Sequence, residues 1–151
     1  MLGNLTKQKK KIITESAKNF SIELFVKKAK ELDSSNKFEK YSGKLWNKIP
    51  SQLMLFYKKY NPVNVEIDMY NFIPADKLEE VNTNEYGGYF DSKEIPFIFA
   101  TCNGDPIFFT KGKVYTHPHG TGKATPNSYE KLANSFIEFL DYTIKSASND
   151  I

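Results

Sequence analysis

A chain of 151 residues, 40% apolar and 15% aromatic, has the core-forming material of one compact domain, which excludes a wholly disordered polymer. Its longest apolar stretches, such as Phe97 to Ala100, fall far short of the roughly 20 residues a membrane helix requires, so no bilayer-spanning segment and no membrane partner are expected. The net charge of +3 hides an asymmetry, because residues 1–60 hold 14 lysines against 5 acids and residues 61–151 hold 7 against 13. Every basic residue is lysine, so the planar guanidinium fork that reads phosphates and guanine edges is missing and specific nucleic-acid recognition is not expected. The single cysteine, Cys102, has no partner for an internal disulfide, and Met1 to Thr14 offers only Ile12 and Ile13 where a signal peptide needs an apolar run. Both point to a cytoplasmic location.

In chain order, residues 1–18 read as a basic tail or loose helix containing the run Lys9, Lys10, Lys11, with one α+β domain occupying 19–151. From Phe20 to Asp33 the residues Ile22, Phe25, Val26, Ala29 and Leu32 recur at helical spacing, with lysines on the opposite face. Asp33 to Gly43 reads as a connecting loop. A second helix starts at Pro50, buries Leu53, Phe56, Tyr57 and Tyr60, and stops at Asn61 and Pro62. Val63, Val65, Ile67 and Met69 alternate with polar residues as a half-buried strand ended by Pro74. Ala75 to Val81 fits either a helical turn or a short strand, and Tyr86, Gly87, Gly88 and Tyr89 read as a flexible aromatic loop.

Three short apolar segments, Phe97 to Ala100, Ile107 to Thr110 and Val114 to His117, are separated by Asn103-Gly104 and Lys111-Gly112 and predict a three-stranded meander. A closing helix is expected, capped by Asn127 with Glu130 three residues on, with Leu132, Phe136, Ile137, Phe139, Leu140 and Ile144 on one face. Helices, then antiparallel strands, then a helix is the order of an α+β fold with its helices on one sheet face.

Cys102, Asp105, His117 and His119 would suit nucleophilic catalysis if the fold brought them together, but their spacing does not assemble them. His117 and His119 flank Pro118 and would offer two nitrogens to a metal, with no obvious completion of a tetrahedral set. Gly120, Thr121, Gly122 and Lys123 fail as a phosphate-binding loop, since His117 stands where the first glycine belongs and Ala124 where Ser or Thr is required. No cofactor, metal or enzymatic activity is therefore expected. More informative is the acidic and aromatic stretch of Glu79, Glu80, Glu85, Tyr86, Tyr89, Phe90 and Asp91, whose tyrosines would anchor a protein partner inside a field favouring a basic one. Trp46 and Asp105 are further candidates; Trp46 also reads as a cover for the sheet and Asp105 as a turn residue.

Two blocks resemble the SUKH superfamily, which includes bacterial immunity proteins against secreted toxins and fungal cell-wall regulators. One runs from Leu45 to Asn61 and contains Trp46, the Ile49-Pro50 pair and the Leu53, Phe56, Tyr60, Asn61 pattern, with Pro62 in place of the family's glycine. The other holds Ile95 to Ala100, then Asn103, Gly104 and Asp105, then Gly112 and Val114, and finally Ser135, Phe136, Ile137, Phe139 and Leu140. The resemblance implies an α+β domain without catalysis or cofactor, and a binding role against a cognate protein toxin, nucleases being common among the toxins such proteins oppose. A regulatory protein-binding scaffold is the alternative, and a small hydrolase using Cys102 and the histidines the rival from another class.

Overall fold

The computed structural model describes residues 20–118, 120 and 122–148. The basic tail with its lysine run, His119 and Thr121 lie outside the described residues. The first helix, α1, spans Ile22–Leu32 and is capped by Ser21, whose hydroxyl accepts the Leu24 N–H at 3.1 Å. Phe25, Val26 and Ala29 are buried along its inner face, while Leu32, expected there too, is exposed. The segment read as a loop contains a short strand, β1 (Lys37–Glu39), paired antiparallel with β2 (Asn61–Asn64) in a two-stranded ribbon. Between them α2 (Ser51–Lys59) follows Pro50 and buries Leu53, Phe56 and Tyr57; Tyr60 is only half-buried.

The expected single strand across Val63 to Tyr70 is broken. β3 (Glu66–Ile67) turns back into β4 (Tyr70–Phe72) through Asp68 and Met69, both at positive φ, 50° and 69°. Positive φ at both central residues marks the type I′ turn that suits hairpin twist. The reversal leaves Met69 exposed in the turn and buries Tyr70, and Val63 is exposed in β2, against the alternation read from the sequence. Asp68 also accepts a hydrogen bond from the Ser146 hydroxyl, which fastens this hairpin to the last helix.

The expected three-stranded meander is the centre of a larger sheet. β5 (Phe97–Cys102), β6 (Asp105–Thr110) and β7 (Lys113–Thr116) are joined to β3 and β4 on one side and to β8 (Glu130–Ala133) on the other. The sheet is six-stranded and antiparallel throughout, in chain order. Asn103-Gly104 and Lys111-Gly112 make the two inner turns, again with positive φ at both positions. The closing helix corrects the sequence reading: Asn127 caps nothing, Leu132 belongs to β8, and α4 spans Phe136–Ala147. Thr125 and Ser128 cap each other around a 3-10 turn instead. Ser135 caps α4, accepting the Glu138 N–H at 3.0 Å, while Glu138 reaches back to the Asn134 N–H.

Phe25 of α1, Phe56 of α2, Phe72 of β4, Phe99 of β5 and Phe136 and Phe139 of α4 interlock between the helices and one sheet face, with ring centroids 5.3–6.4 Å apart. Buried amides stitch the connections. Asn36 donates to Ala29 O and accepts from Glu66 N–H, and Asn61 accepts from Ala75 N–H. Truncating the fully buried Phe99 to alanine should cost about 3–5 kcal/mol. Urea unfolding is the check, and a loss under about 1 kcal/mol would contradict this core.

Candidate functional site

The acidic stretch is helical rather than extended. A 3-10 turn at Ala75–Lys77 runs into α3 (Leu78–Glu80), which continues as a π-helical turn at Val81–Glu85 closed by the 2.9 Å bond from Tyr86 N to Val81 O. Leu78 is the buried anchor, and Asp76, Glu79, Glu80 and Glu85 are exposed.

Asn82 fixes this segment to the sheet. Its amide nitrogen donates to Leu78 O at 2.9 Å and Ile98 O at 3.0 Å, and its oxygen accepts the Ile98 N–H at 2.8 Å. Ile98 sits at an irregularity of β5 and beyond the residues that β4 pairs, which end at Ala100. The side chain of Asn82 thus takes the place of a strand residue, satisfying both backbone groups of Ile98 that would otherwise be stranded.

The Tyr86-Gly-Gly-Tyr89 sequence, expected to be a flexible loop, is tied at both ends. Tyr86 donates its hydroxyl to Gly104 O at 2.8 Å, in the β5–β6 turn. The Tyr89 hydroxyl lies 2.7 Å from His117 Nδ1 and 3.2 Å from His117 O. A Cβ on Gly87 would fall 2.4 Å from the Thr83 carbonyl, so the tight exit from the π-turn requires glycine there. The two tyrosine rings meet edge to face at 5.5 Å. Asp91 N and Ala124 N then bond to the backbone across the gap, at 2.8 and 3.0 Å.

Phe90 turns its ring inward. It is 8% exposed and packs on Phe108 and Tyr129, so it supports the segment from beneath. Asp105 is half-buried behind Tyr86 and Tyr89. Burial first, then the negative charges of Glu85 and Asp105, pushes the Tyr86 hydroxyl pKa up; burial and Asp105 do the same for Tyr89. Both stay protonated donors at neutral pH.

Trp46 joins the acidic segment from a different part of the chain. Half-buried, its ring lies 6.1 Å from that of Phe97. With Tyr41, Lys44, Asp76 and Glu79 it lines a cleft of about 440 Å³, and it also lines a second cleft of about 390 Å³ with Lys48, Lys93, Ile95 and Phe97. Asp76, Lys48, Lys93 and the Asn82 clamp were not singled out by the sequence; only the helical spacing of Asp76 to Glu79 signals that the two carboxylates share a face.

The surroundings of Cys102 and His117 do not favour a thiolate–imidazole pair. His117 is 4% exposed with its Nδ1 engaged by Tyr89, and among the described residues no hydrogen bond joins it to Cys102. Burial, then the charges of Asp105 and Asp68, raises the Cys102 thiol pKa, the opposite of what activates a nucleophile. Among the described residues no three His, Cys, Asp or Glu side chains converge to hold a metal, and His119 lies outside them. No helix among them is long and apolar enough to cross a membrane.

Asn82→Ala should destabilise the protein by about 1–3 kcal/mol and speed amide exchange of residues 78–90 beyond the rest of the chain. Uniform exchange would contradict the clamp. Because a raised pKa leaves less thiolate at a given pH, Cys102 in the folded chain should react with iodoacetamide at pH 8 more slowly than free cysteine. A faster reaction would revive the nucleophile reading.

No curated protein and no solved structure matches the chain. The family model described as SMI1 / KNR4 family (SUKH-1) matches residues 34–142, most of the sequence and all of the clamp, the aromatic turn and the Trp46 clefts. The chain belongs to the SMI1 / KNR4 family (SUKH-1).

Proposed function

We propose that this chain is a cytoplasmic immunity protein that binds and neutralises a cognate polymorphic or contact-dependent bacterial toxin by covering its active site or an adjacent surface. No chemistry on the chain's part is involved. The observation that carries the reading is the exposed row of Glu79, Glu80, Glu85 and Asp91 on a backbone fixed by Asn82, Tyr86 and Tyr89. A surface already ordered before contact loses little conformational entropy on binding, and its negative field speeds encounter with a basic protein, as a nuclease would be. Membership of a family that includes toxin-immunity proteins supports the same reading. Within the contact set Glu79, Glu80, Glu85, Tyr86, Tyr89 and Asp91 face the partner with Trp46 beside them, while Phe90 and Asp105 hold the tyrosines in place.

A tagged chain expressed in its native cells should recover a protein whose toxicity is suppressed when the two are co-expressed. E79K/E80K should then slow association with that protein about tenfold at low salt, with the difference shrinking as salt rises. Unchanged low-salt association would remove the acidic face from the account. A stable partner without toxicity would replace the immunity reading with a regulatory scaffold.

A further inference from the structure

The two clefts flanking Trp46 differ in chemistry. In the first, Tyr41 and Trp46 share the wall with the exposed Asp76 and Glu79, and Lys44 is the cation among its lining residues. In the second, Trp46, Pro96 and Phe97 form an apolar floor, Ile95 stands 62% exposed, and Lys48 and Lys93 supply two cations without an acid. Asn82 also lines this cleft, but its amide is consumed by the backbone of Leu78 and Ile98, and the Thr83 hydroxyl proton goes to Glu79 O, so the two ammonium groups are the charged contacts open to a ligand.

We propose that Trp46 is the ridge of a two-cleft docking surface that grips one segment of a protein partner carrying a basic residue next to an apolar residue and an acidic one. This deepens the immunity reading and rests on it only for the partner being a protein. A guanidinium or ammonium would enter the first cleft, lying over the indole within reach of Asp76 and Glu79, where cation–π attraction and two carboxylates act together. An apolar side chain would cover Phe97 and Ile95 in the second, and a neighbouring carboxylate would meet Lys48 and Lys93. Opposite charges in two clefts that share one tryptophan fix the direction in which the segment lies, so a uniformly basic segment such as would suit the acidic row alone is disfavoured in the second cleft.

Trp46 is the chain's single tryptophan, so its fluorescence and its indole N–H resonance report on this ridge without ambiguity. The probes are acetyl-arginine amide, acetyl-Leu-Glu amide and the joined peptide acetyl-Arg-Gly-Leu-Glu amide, titrated into the full-length protein. The arginine probe should shift the indole and the amides of Asp76 and Glu79, and D76N/E79Q should weaken it about fivefold. The Leu-Glu probe should shift the indole, Lys93 and Ile95, and K48Q/K93Q should weaken it similarly. The joined peptide should bind at least about tenfold more tightly than either part. All four substituted side chains are exposed, so folding is not at stake. A silent indole, or both variants weakening both probes alike, would overturn the proposal. Because the probes contain no toxin, their failure leaves the rescue result standing, and failed rescue with the probes bound would overturn immunity while keeping the surface.

Discussion

Six phenylalanine rings drawn from three helices and two strands meet edge to face or tilted in one layer, and the arrangement of everything else depends on that contact. Phe25, Phe56, Phe99 and Phe139 are fully enclosed. Burial of such a side chain contributes about 1.5–3 kcal/mol, and edge-to-face pairing adds about 0.5–1.5 kcal/mol for each favourable pair. Because α1, α2 and α4 all dock through these rings, the helices occupy one face of the sheet. The segment from Ala75 to Asp91 bonds along β5 through Asn82, and its Phe90 packs on Phe108 of β6 with Tyr129.

Polar side chains then do what regular secondary structure does not. Asn36, Asn61 and Asn82 each accept from a backbone N–H of a distant segment, at 2.9, 2.8 and 2.8 Å. Each bond closes a place where a ladder ends and a donor would otherwise be left without a partner. Asn82 does this at the base of the acidic row, and Tyr86 and Tyr89 act in the opposite sense, their hydroxyls donating to the carbonyls of Gly104 and His117. Carboxylates that would repel one another on a loose chain are held on a short helical scaffold, where their field is available to a partner.

The fold class was legible because periodicity and turn chemistry agreed: Asn103-Gly104 and Lys111-Gly112 are strong hairpin signals and both form the expected turns. Asp68-Met69 makes the same turn without glycine or asparagine, so local propensity gave no warning and the alternation across it imitated one strand. The start of α4 was misplaced because the sequence offers two candidate caps, Asn127 with Glu130 and Ser135 with Glu138. A 3-10 turn claims the first, and β8 needs the residues between them to complete the sheet. At the candidate site, the residue types were visible but their division of labour was not. Phe90 and Tyr89 are neighbours in sequence, and only burial tells the support from the surface. The meeting of Trp46 with Glu79 joins residues far apart in the chain, which no local pattern encodes.

The central claim is that the Ala75 to Asp91 segment with Trp46 is a docking surface already formed in the free protein. Hydrogen–deuterium exchange on the full-length chain, alone and with the protein it captures, tests it most directly. The account predicts that the amides of residues 78–90 are already slow in the free chain through the Asn82 and tyrosine contacts, and that protection on binding is concentrated there and around Trp46. Rapid exchange of that segment in the free chain, or protection confined to α1 and the β1–β2 ribbon, would contradict it.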